Sequence, residues 1–379
     1  MTRKFYWLKC IPYQKTDILI IDKYGYDLLK ECLPSQANHI IIPNGSIILV
    51  AKLKYFLLIA LNILKGETRF SSMYATLVKT LDPNVIISFN DNNAFLGKLQ
   101  EKFPDKLVIA VQNGVRVGLD LCIGSWRVNT AIPHYYGFGD YEKDLMKERK
   151  LRICEYVKVG SLKLGLVLSS QNINNKFVHD ICFISQFHYK RELEIMKRVE
   201  PIYKTQRLLF DIIYNICLVN NYSLVVAMVK GIHDDDYERE LDYYKSEREA
   251  SNIKLVPNDR KGITSYNTGF SSRLVVSLWS TLSFELFGCG QRTLFSGLLH
   301  NPDKQYYKEL LKNMPSDLLL YEMEENHFQG KIEALLNMTD KEYLEKTAFS
   351  RSYYMRCERP YPHEMIKERI AEHLNIPVE

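Results

Sequence analysis

Along its first half the chain alternates short apolar runs with segments of helical period. "DILIID" (17–22), "HIIIP" (39–43), "VIISF" (85–89) and "KLVIAV" (106–111) are nearly continuous apolar runs and read as strands. "GYDLLKECL" follows the first, and "SSMYATLVKTLDP" (71–83) and "NAFLGKLQEKF" (93–103) carry helical spacing, the former ended by Pro83. The most apolar run, "YFLLIALNIL" (55–64), has half of the about 20 residues a spanning helix needs, so its pattern predicts a buried helix. Strands that are apolar on both faces require cover on both faces, which predicts a parallel sheet between helices.

The pattern weakens after "YVKVGSLKLG" (156–165), and "SSQNINNKF" (169–177) is polar and aperiodic, as a linker is. Alternation restarts with the strands "DICFISQF" (180–187), "SLVVAMV" (223–229), "IKLVP" (253–257), "RLVVSLW" (273–279) and "RTLF" (292–295). "RLLFDIIYNICLVN" (207–220) reads as an amphipathic helix, and "TLSFELFGCG" (281–290) as a short helix ended by glycine. The tail, about 340–373, is helix-rich and charged. The expected fold class is therefore α/β: two Rossmann-like domains facing a cleft, with a C-terminal helical tail. The expected boundaries are 1–165, a linker at 166–179, 180–340, and a helical segment at 341–379.

In open parallel sheets ligands sit at the carboxyl ends of the strands, so polar strand ends are the candidate sites. The first is Asn90, Asp91, Asn92 and Asn93 after "VIISF"; this cluster suits a helix cap, or a carboxylate flanked by amides that bind sugar hydroxyls. The second is "QNGVR", in which Asn113-Gly114 signals a turn and Gln112 and Arg116 flank it, Arg116 able to fork onto a carboxylate or phosphate. The third is Lys230 with the acidic run "HDDDYERE", expected as a loop, where Asp234, Asp235 and Asp236 are reserve nucleophiles or a solvated surface. The fourth is "WSTLSFE": Ser280, Thr281 and Ser283 in the first turn of a helix suit a phosphate, and Glu285 one turn on suits ribose hydroxyls. The same residues serve equally as an ordinary cap with a dipole-matched acid. His300, after a short strand, is a further candidate phosphate contact.

Composition narrows the classes. With 46% hydrophobic and 25% charged residues the chain is globular and large enough for two cores. A net charge of +5, from 50 basic and 45 acidic residues, is too small to point to nucleic acid and suits an acidic substrate or contact with an anionic membrane face. The eight cysteines are scattered without a C-x-x-C pair, so no zinc or redox motif is indicated and a reducing compartment is expected. The N-terminus lacks the apolar run and cleavage site of a signal peptide, which gives a cytoplasmic expectation. Lys52, Lys54 and Lys65 flank the apolar helix, which adds the expectation of peripheral contact at the inner membrane.

The ordered set "SFNDNNAFL", "VIAVQNGVR", "HYYGFGDYEKD", "VKVGSLKLG", "ICFISQF", "TSYNTG" and "VVSLWSTLSFELFGCGQRTLF" resembles the bacterial surface-carbohydrate biosynthesis proteins. These are GT-B-type glycosyltransferases of lipopolysaccharide O-antigens and capsules, and the retaining β-Kdo transferases that use CMP-Kdo are the nearest in kind. The resemblance spans roughly residues 17–165 and 180–297. It implies Asp91 and Asn92 in the cleft with Asn93, Gln112, Asn113, Arg116 and Lys230 as substrate contacts. It further implies Ser265 and Tyr266, with Ser280, Thr281, Ser283 and Glu285, as the nucleotide site. Two positions depart from that pattern: Trp279 stands where an acid is frequent, and its indole can stack on a base or sugar; Lys230 stands where an arginine is frequent.

The chemistry implied is transfer of Kdo from CMP-Kdo, with retention, to a saccharide or lipid-linked glycan acceptor. Asp91 is the first candidate nucleophile and Asp234 the second. Neither a cofactor nor a metal is expected, since hydroxyls, amides and a helix terminus can carry the phosphate charge. The competing expectations are another CMP-ulosonic acid, a UDP- or GDP-sugar, or a non-catalytic sugar-binding subunit.

Overall fold

The computed structural model describes the chain outside residues 1–7, 12–14, 43–46, 51–56, 58–59, 62–68, 94, 117–130, 171–175, 188–192, 246–252, 261–262, 297–307, 322–324 and 379. His300, Lys52, Lys54 and Lys65 lie outside the described residues. The chain forms two compact units: residues 1–166 with 358–379, and residues 167–357.

Unit 1 holds a six-stranded, wholly parallel sheet of β2 (Ile18–Ile21), β3 (His39–Ile42), β5 (Val85–Ser88), β6 (Leu107–Val111), β7 (Ile132–Gly137) and β8 (Ile153–Lys158), in the order β3-β2-β5-β6-β7-β8. Every residue of β2, β5 and β6 is buried, which is why these runs carry no polar alternation. Helices α1 (Tyr26–Leu29), α2 (Arg69–Leu81), α3 (Phe95–Lys102), α4 (Tyr141–Glu148) and α5 (Leu162–Ser169) belong to this half of the chain, α5 running to the start of unit 2. Two strands that the apolar pattern did not signal, β1 (Leu8–Ile11) and β4 (Ile47–Val50), pair in parallel as a separate ribbon. The expectation of a buried helix at 55–64 is corrected where it can be seen: Leu57 and Leu61 are helical and 58% and 52% exposed.

Unit 2 repeats the plan with β9 (His179–Ile184), β10 (Leu224–Ala227), β11 (Ile253–Val256), β12 (Ser272–Ser277), β13 (Thr293–Ser296) and β14 (Leu319–Leu320), in the order β11-β10-β9-β12-β13-β14. This is the 3-2-1-4-5-6 order of doubly wound nucleotide-binding sheets. Its helices are α6 (Leu193–Asn220), α7 (Tyr237–Lys245), α8 (Ile263–Phe270), α9 (Thr281–Gly288), α10 (Glu325–Asn337) and α11 (Asp340–Tyr354). The acidic run expected as a loop is half helix: Asp234–Asp236 form the turn, and α7 begins at Tyr237.

The C-terminal helix α12 (Pro362–Leu374) returns to unit 1. Ile366 and Ile370, one turn apart, are fully buried in the same core as Val85, Ile87 and Leu162. Burial of two isoleucines contributes about 3–6 kcal/mol to holding that helix in place.

Candidate functional site

In each sheet the strand order reverses once, between β2 and β5 in unit 1 and between β9 and β12 in unit 2. A ligand crevice in such a sheet lies beyond the strand ends at the reversal.

In unit 1 the reversal is bridged by Asn90, whose Nδ2 donates to Asp22 Oδ2 at 3.2 Å. Asp22 also accepts from Tyr24 N at 2.9 Å and holds a left-handed backbone, φ 80°. Asp91, next along, is wholly buried. Its Oδ2 accepts from Arg116 Nε at 3.0 Å and from the Tyr135 hydroxyl at 2.7 Å. Its Oδ1 accepts from Arg116 Nη2 and, at 3.3 Å, from Asn113 N. Arg116 Nη2 also donates to Asn113 Oδ1 at 2.8 Å, and the Asn92 amide oxygen, turned toward the guanidinium, accepts from Nη1 at 2.9 Å. Burial opposes the charge on Arg116, yet the Asp91 carboxylate beside it raises its pKa. Burial first, and then the same carboxylate, hold Tyr135 neutral well above its usual range.

Gln112, 1% exposed, is equally committed. Its Nε2 donates to Glu142 Oε1 at 2.7 Å and Gly114 O at 2.9 Å, and its Oε1 accepts from Phe138 N at 2.9 Å. Burial pushes the Glu142 carboxyl up to about 7, against the Gln112 hydrogen bond that lowers it. Asn93 Oδ1 accepts from Phe95 N at 3.0 Å and so caps α3. The sequence thus brought Asp91, Asn92, Gln112, Asn113 and Arg116 to one place, and the fold joins them to each other. This changes the picture of Asp91 as a nucleophile. Both its oxygens are occupied and none of its surface is open, so attack on an anomeric carbon would require the network to come apart. Arg116 and Gln112 are likewise engaged inside the protein rather than offered to a substrate.

Glu142 and Tyr135 were not singled out by sequence reasoning. Glu142 lies in "GDYEKD", where it is one acid of three; only its packing on the β6 end distinguishes it.

In unit 2 the reversal is bridged by Gln186, whose Oε1 accepts from Trp279 N at 3.1 Å. Gln206 holds Gln186 in turn, its Oε1 accepting from Gln186 N at 2.6 Å. A one-way chain of donors runs from Gln206 Nε2 to the Tyr244 hydroxyl (2.8 Å), from Tyr244 to Ser185 Oγ (2.8 Å), and from Ser185 to Glu240 Oε1 (2.5 Å). Glu240 Oε1 also accepts from Val229 N at 3.0 Å, and Oε2 from Lys230 N at 2.8 Å. The buried carboxylate therefore fixes the backbone from which the Lys230 side chain leaves. Glu240 is the acid of "HDDDYERE" that the fold buries; its spacing of three and four from Tyr237 and Tyr244 on α7 was the available signal.

Lys230 Nζ has a distant partner, Asp236 at 3.9 Å, and is the least committed of the predicted substrate contacts. Asp234 accepts from Gly231 N at 2.7 Å and pairs with Arg260, so it too is a turn residue held by an ion pair. Ser280 is the N-cap of α9 and makes no capping hydrogen bond with its side chain. Ser280 and Thr281 are partly exposed at the helix start. Ser283 departs from expectation, because it is buried and its hydroxyl donates to Ser280 O at 2.6 Å. Glu285 is 4% exposed and lies against Tyr266, whose hydroxyl is raised well above its usual pKa by burial and then by the Glu285 charge. Ser265 is also buried. Of the six predicted nucleotide contacts, Ser280 and Thr281 are the two that face outward. Among the described residues no group of three His, Cys, Asp or Glu side chains could hold a metal ion.

Two doubly wound α/β units of this kind define a GT-B-like fold, and solved structures of that fold match almost the whole chain. The UDP-GlcNAc 2-epimerase of Methanocaldococcus jannaschii, in complex with UDP-GlcNAc and UDP, aligns over 97% of this chain and 99% of its own, with a TM-score of 0.52 and 10% identity. The S. aureus MnaA–UDP structure aligns over 97% and 98%, with a TM-score of 0.51 and 13% identity. The wall teichoic acid polymerase TagF (H548A) aligns over 96% and 90%, with a TM-score of 0.51 and 10% identity. At such identities the likeness is one of fold. No curated protein matches the sequence. Residues 109–346 match the family described as "putative O-antigen biosynthesis protein", and the chain belongs to that family.

Proposed function

We propose that this protein is a glycosyltransferase of surface-polysaccharide assembly, taking a nucleotide-activated sugar on unit 2 and a saccharide or lipid-linked glycan acceptor on unit 1. The observation that carries the reading is the start of α9. Ser280 and Thr281 lie partly exposed at the reversal of a 3-2-1-4-5-6 sheet, with the Ser280 hydroxyl making no cap bond. The positive end of that helix favours the phosphate of a leaving nucleotide. Lys230 supplies a cation on a strand end of the same sheet, suited to a donor phosphate or a sugar carboxylate. Membership of the O-antigen family supports the pathway class.

CMP-Kdo is the first donor proposed, on the resemblance of the strand-end motifs to those of β-Kdo transferases. A UDP-sugar is the second, favoured by same-fold structures that hold UDP-GlcNAc or UDP. Retention through a glycosyl-enzyme intermediate remains part of the first proposal, with Asp234 the more accessible acid: its side chain is 26% exposed, against 0% for Asp91. Asp234 would have to release Arg260 to act. The reading of unit 1 is that the Asp91–Arg116 network holds the turn 112–116 rigid on the acceptor side.

Calorimetric titration with CMP, UDP, GDP and CMP-Kdo, followed by transfer assays on O-antigen disaccharides, tests this. One nucleotide should bind, and its sugar conjugate should turn over. Binding without turnover would point to a sugar-binding subunit, and no binding of any nucleotide would end the proposal. Intact-mass analysis during turnover decides whether a covalent adduct forms.

Among the described residues no helix is long and apolar enough to cross a membrane. Exposed Leu57 and Leu61, both helical, support the further proposal of peripheral contact with an anionic bilayer. Co-sedimentation with anionic vesicles should fall on Leu57→Glu.

A further inference from the structure

Among the described residues, Cys32, Cys154, Cys182, Cys217, Cys289 and Cys357 are free thiols. Burial pushes Cys182 and Cys217 up to about 12, as expected of inert core thiols. Cys357 is also raised well above the ordinary thiol range, first by its hydrogen bond with Cys289 and then by burial. What sets Cys289 and Cys357 apart is that they lie together. Their sulphurs lie 3.4 Å apart, although 68 residues separate them in sequence. Cys289 is the C-cap of α9, and Cys357, three residues past the end of α11, is the last residue of unit 2 before the chain returns to unit 1. Both are partly exposed.

The approach of the two segments is built into the backbone. A Cβ on Gly288 would stand 2.6 Å from the Met355 Cβ and 2.9 Å from the Cys357 sulphur, so glycine alone lets residues 355–357 lie against the end of α9. Gly290, with φ 89°, then turns the chain under Leu344 of α11, in a conformation that side chains resist. The contact is thus set by a glycine on one side of Cys289 and a left-handed turn on the other.

We propose that Cys289 and Cys357 are a thiol–disulfide pair that closes under an oxidised glutathione pool and reopens in a reduced one. A disulfide of about 2.05 Å needs the sulphurs to approach by about 1.4 Å, within reach of side-chain rotation. In the first step one cysteine thiolate attacks glutathione disulfide, forming a protein–glutathione bond, breaking the S–S bond and releasing one glutathione, which takes up the thiol proton. In the second step the other cysteine attacks the protein sulphur of that mixed disulfide and releases the second glutathione with the second proton. One glutathione disulfide is reduced to two thiols as two protein thiols are oxidised. The bond ties the end of α9, whose start is the candidate phosphate site, to the point where the chain leaves unit 2. Cross-linking residues 68 apart restricts the unfolded chain and favours the folded one.

The test uses the full-length native protein and glutathione disulfide, and needs no donor sugar, so its outcome is independent of the transferase reading. Intact mass should fall by about 2 Da with loss of two of the eight thiols, and dithiothreitol should restore both. Peptide mapping should link the fragments holding residues 289 and 357, and the oxidised protein should unfold several degrees higher than the reduced one. Cys289→Ser and Cys357→Ser should each stop at a single glutathione adduct on the remaining partner. Stable glutathione adducts on both cysteines of the unaltered protein, a cross-link elsewhere, or a full thiol count after native incubation would each overturn the proposal.

Discussion

The two sheets solve the same topological problem in opposite ways. Beyond the reversal of unit 1, charged and amide side chains close on one another: Asp91 has four donors and no exposure. Beyond the reversal of unit 2, one buried acid, Glu240, fixes backbone, and the partly exposed Ser280 at the start of α9 spends no side-chain bond on capping. A buried ion pair with all its hydrogen bonds satisfied is rigid but holds no unused capacity for a ligand. An uncapped helix start has that capacity and costs little to leave open. On the proposed reading, the phosphate contact belongs to unit 2, and the unit 1 network serves to hold its own turn 112–116 in place.

The sharpest way to break this comparison is Arg116→Ala. It leaves the Asp91 charge buried with no cation and should cost about 3–5 kcal/mol in urea unfolding. A loss below about 1 kcal/mol would mean that the network does not hold unit 1 together.

Glu142 gives the next effect, through pH. Its folded pKa of about 7 lies above the ordinary 4.5, so the folded protein keeps the proton that the unfolded chain has released. This contribution is fully present below pH 4.5 and is lost as pH rises through 7. The gap between 4.5 and about 7 corresponds to about 3 kcal/mol, so Glu142→Gln should flatten the decline between those limits and be the more stable form at pH 8. Equal pH profiles for the two proteins would remove Glu142 from the account.

Glu240→Gln should cost about 1–3 kcal/mol, because its two oxygens accept from different backbone N–H groups and an amide must turn its NH2 toward one of them. The same change should weaken donor binding if Lys230 is a donor contact, and leave it unchanged if Lys230 plays no part.

The smallest stability change, and the most selective, belongs to the two serines of α9. Ser280→Ala should alter stability by less than about 0.5 kcal/mol yet lower nucleotide affinity about tenfold. Ser283→Ala should do the reverse, losing about 1 kcal/mol with its bond to Ser280 O and leaving affinity nearly intact. If calorimetry finds the opposite order, the phosphate sits elsewhere.

Much of this was readable in advance. The core strands of both units stood out because full burial removes polar alternation, and "WSTLSFE" was recognisable as a strand passing into a helix. The ribbon of β1 and β4 escaped notice, since four-residue runs next to helical spacing give no distinct period. The clustering of Asp91 with Gln112, Asn113 and Arg116 was what the family resemblance implied, and the structure brings it about by ending the paired strands β5 and β6 side by side. Their closure on one another was not implied, because it takes the Arg116 guanidinium folding back 25 residues onto Asp91 and the Tyr135 hydroxyl arriving from β7, 44 residues away.

By itself the amino-acid sequence determined the two-sheet architecture and the strand ends at which chemistry could occur, because burial and chain direction are written locally, residue by residue. Only the tertiary structure decided which polar groups remain for a ligand. Whether a carboxylate is open or occupied depends on donors that distant segments bring to it, as Arg116 and Tyr135 do for Asp91. The same holds for α12, whose isoleucine pair gives a buried face but no hint of which core will take it.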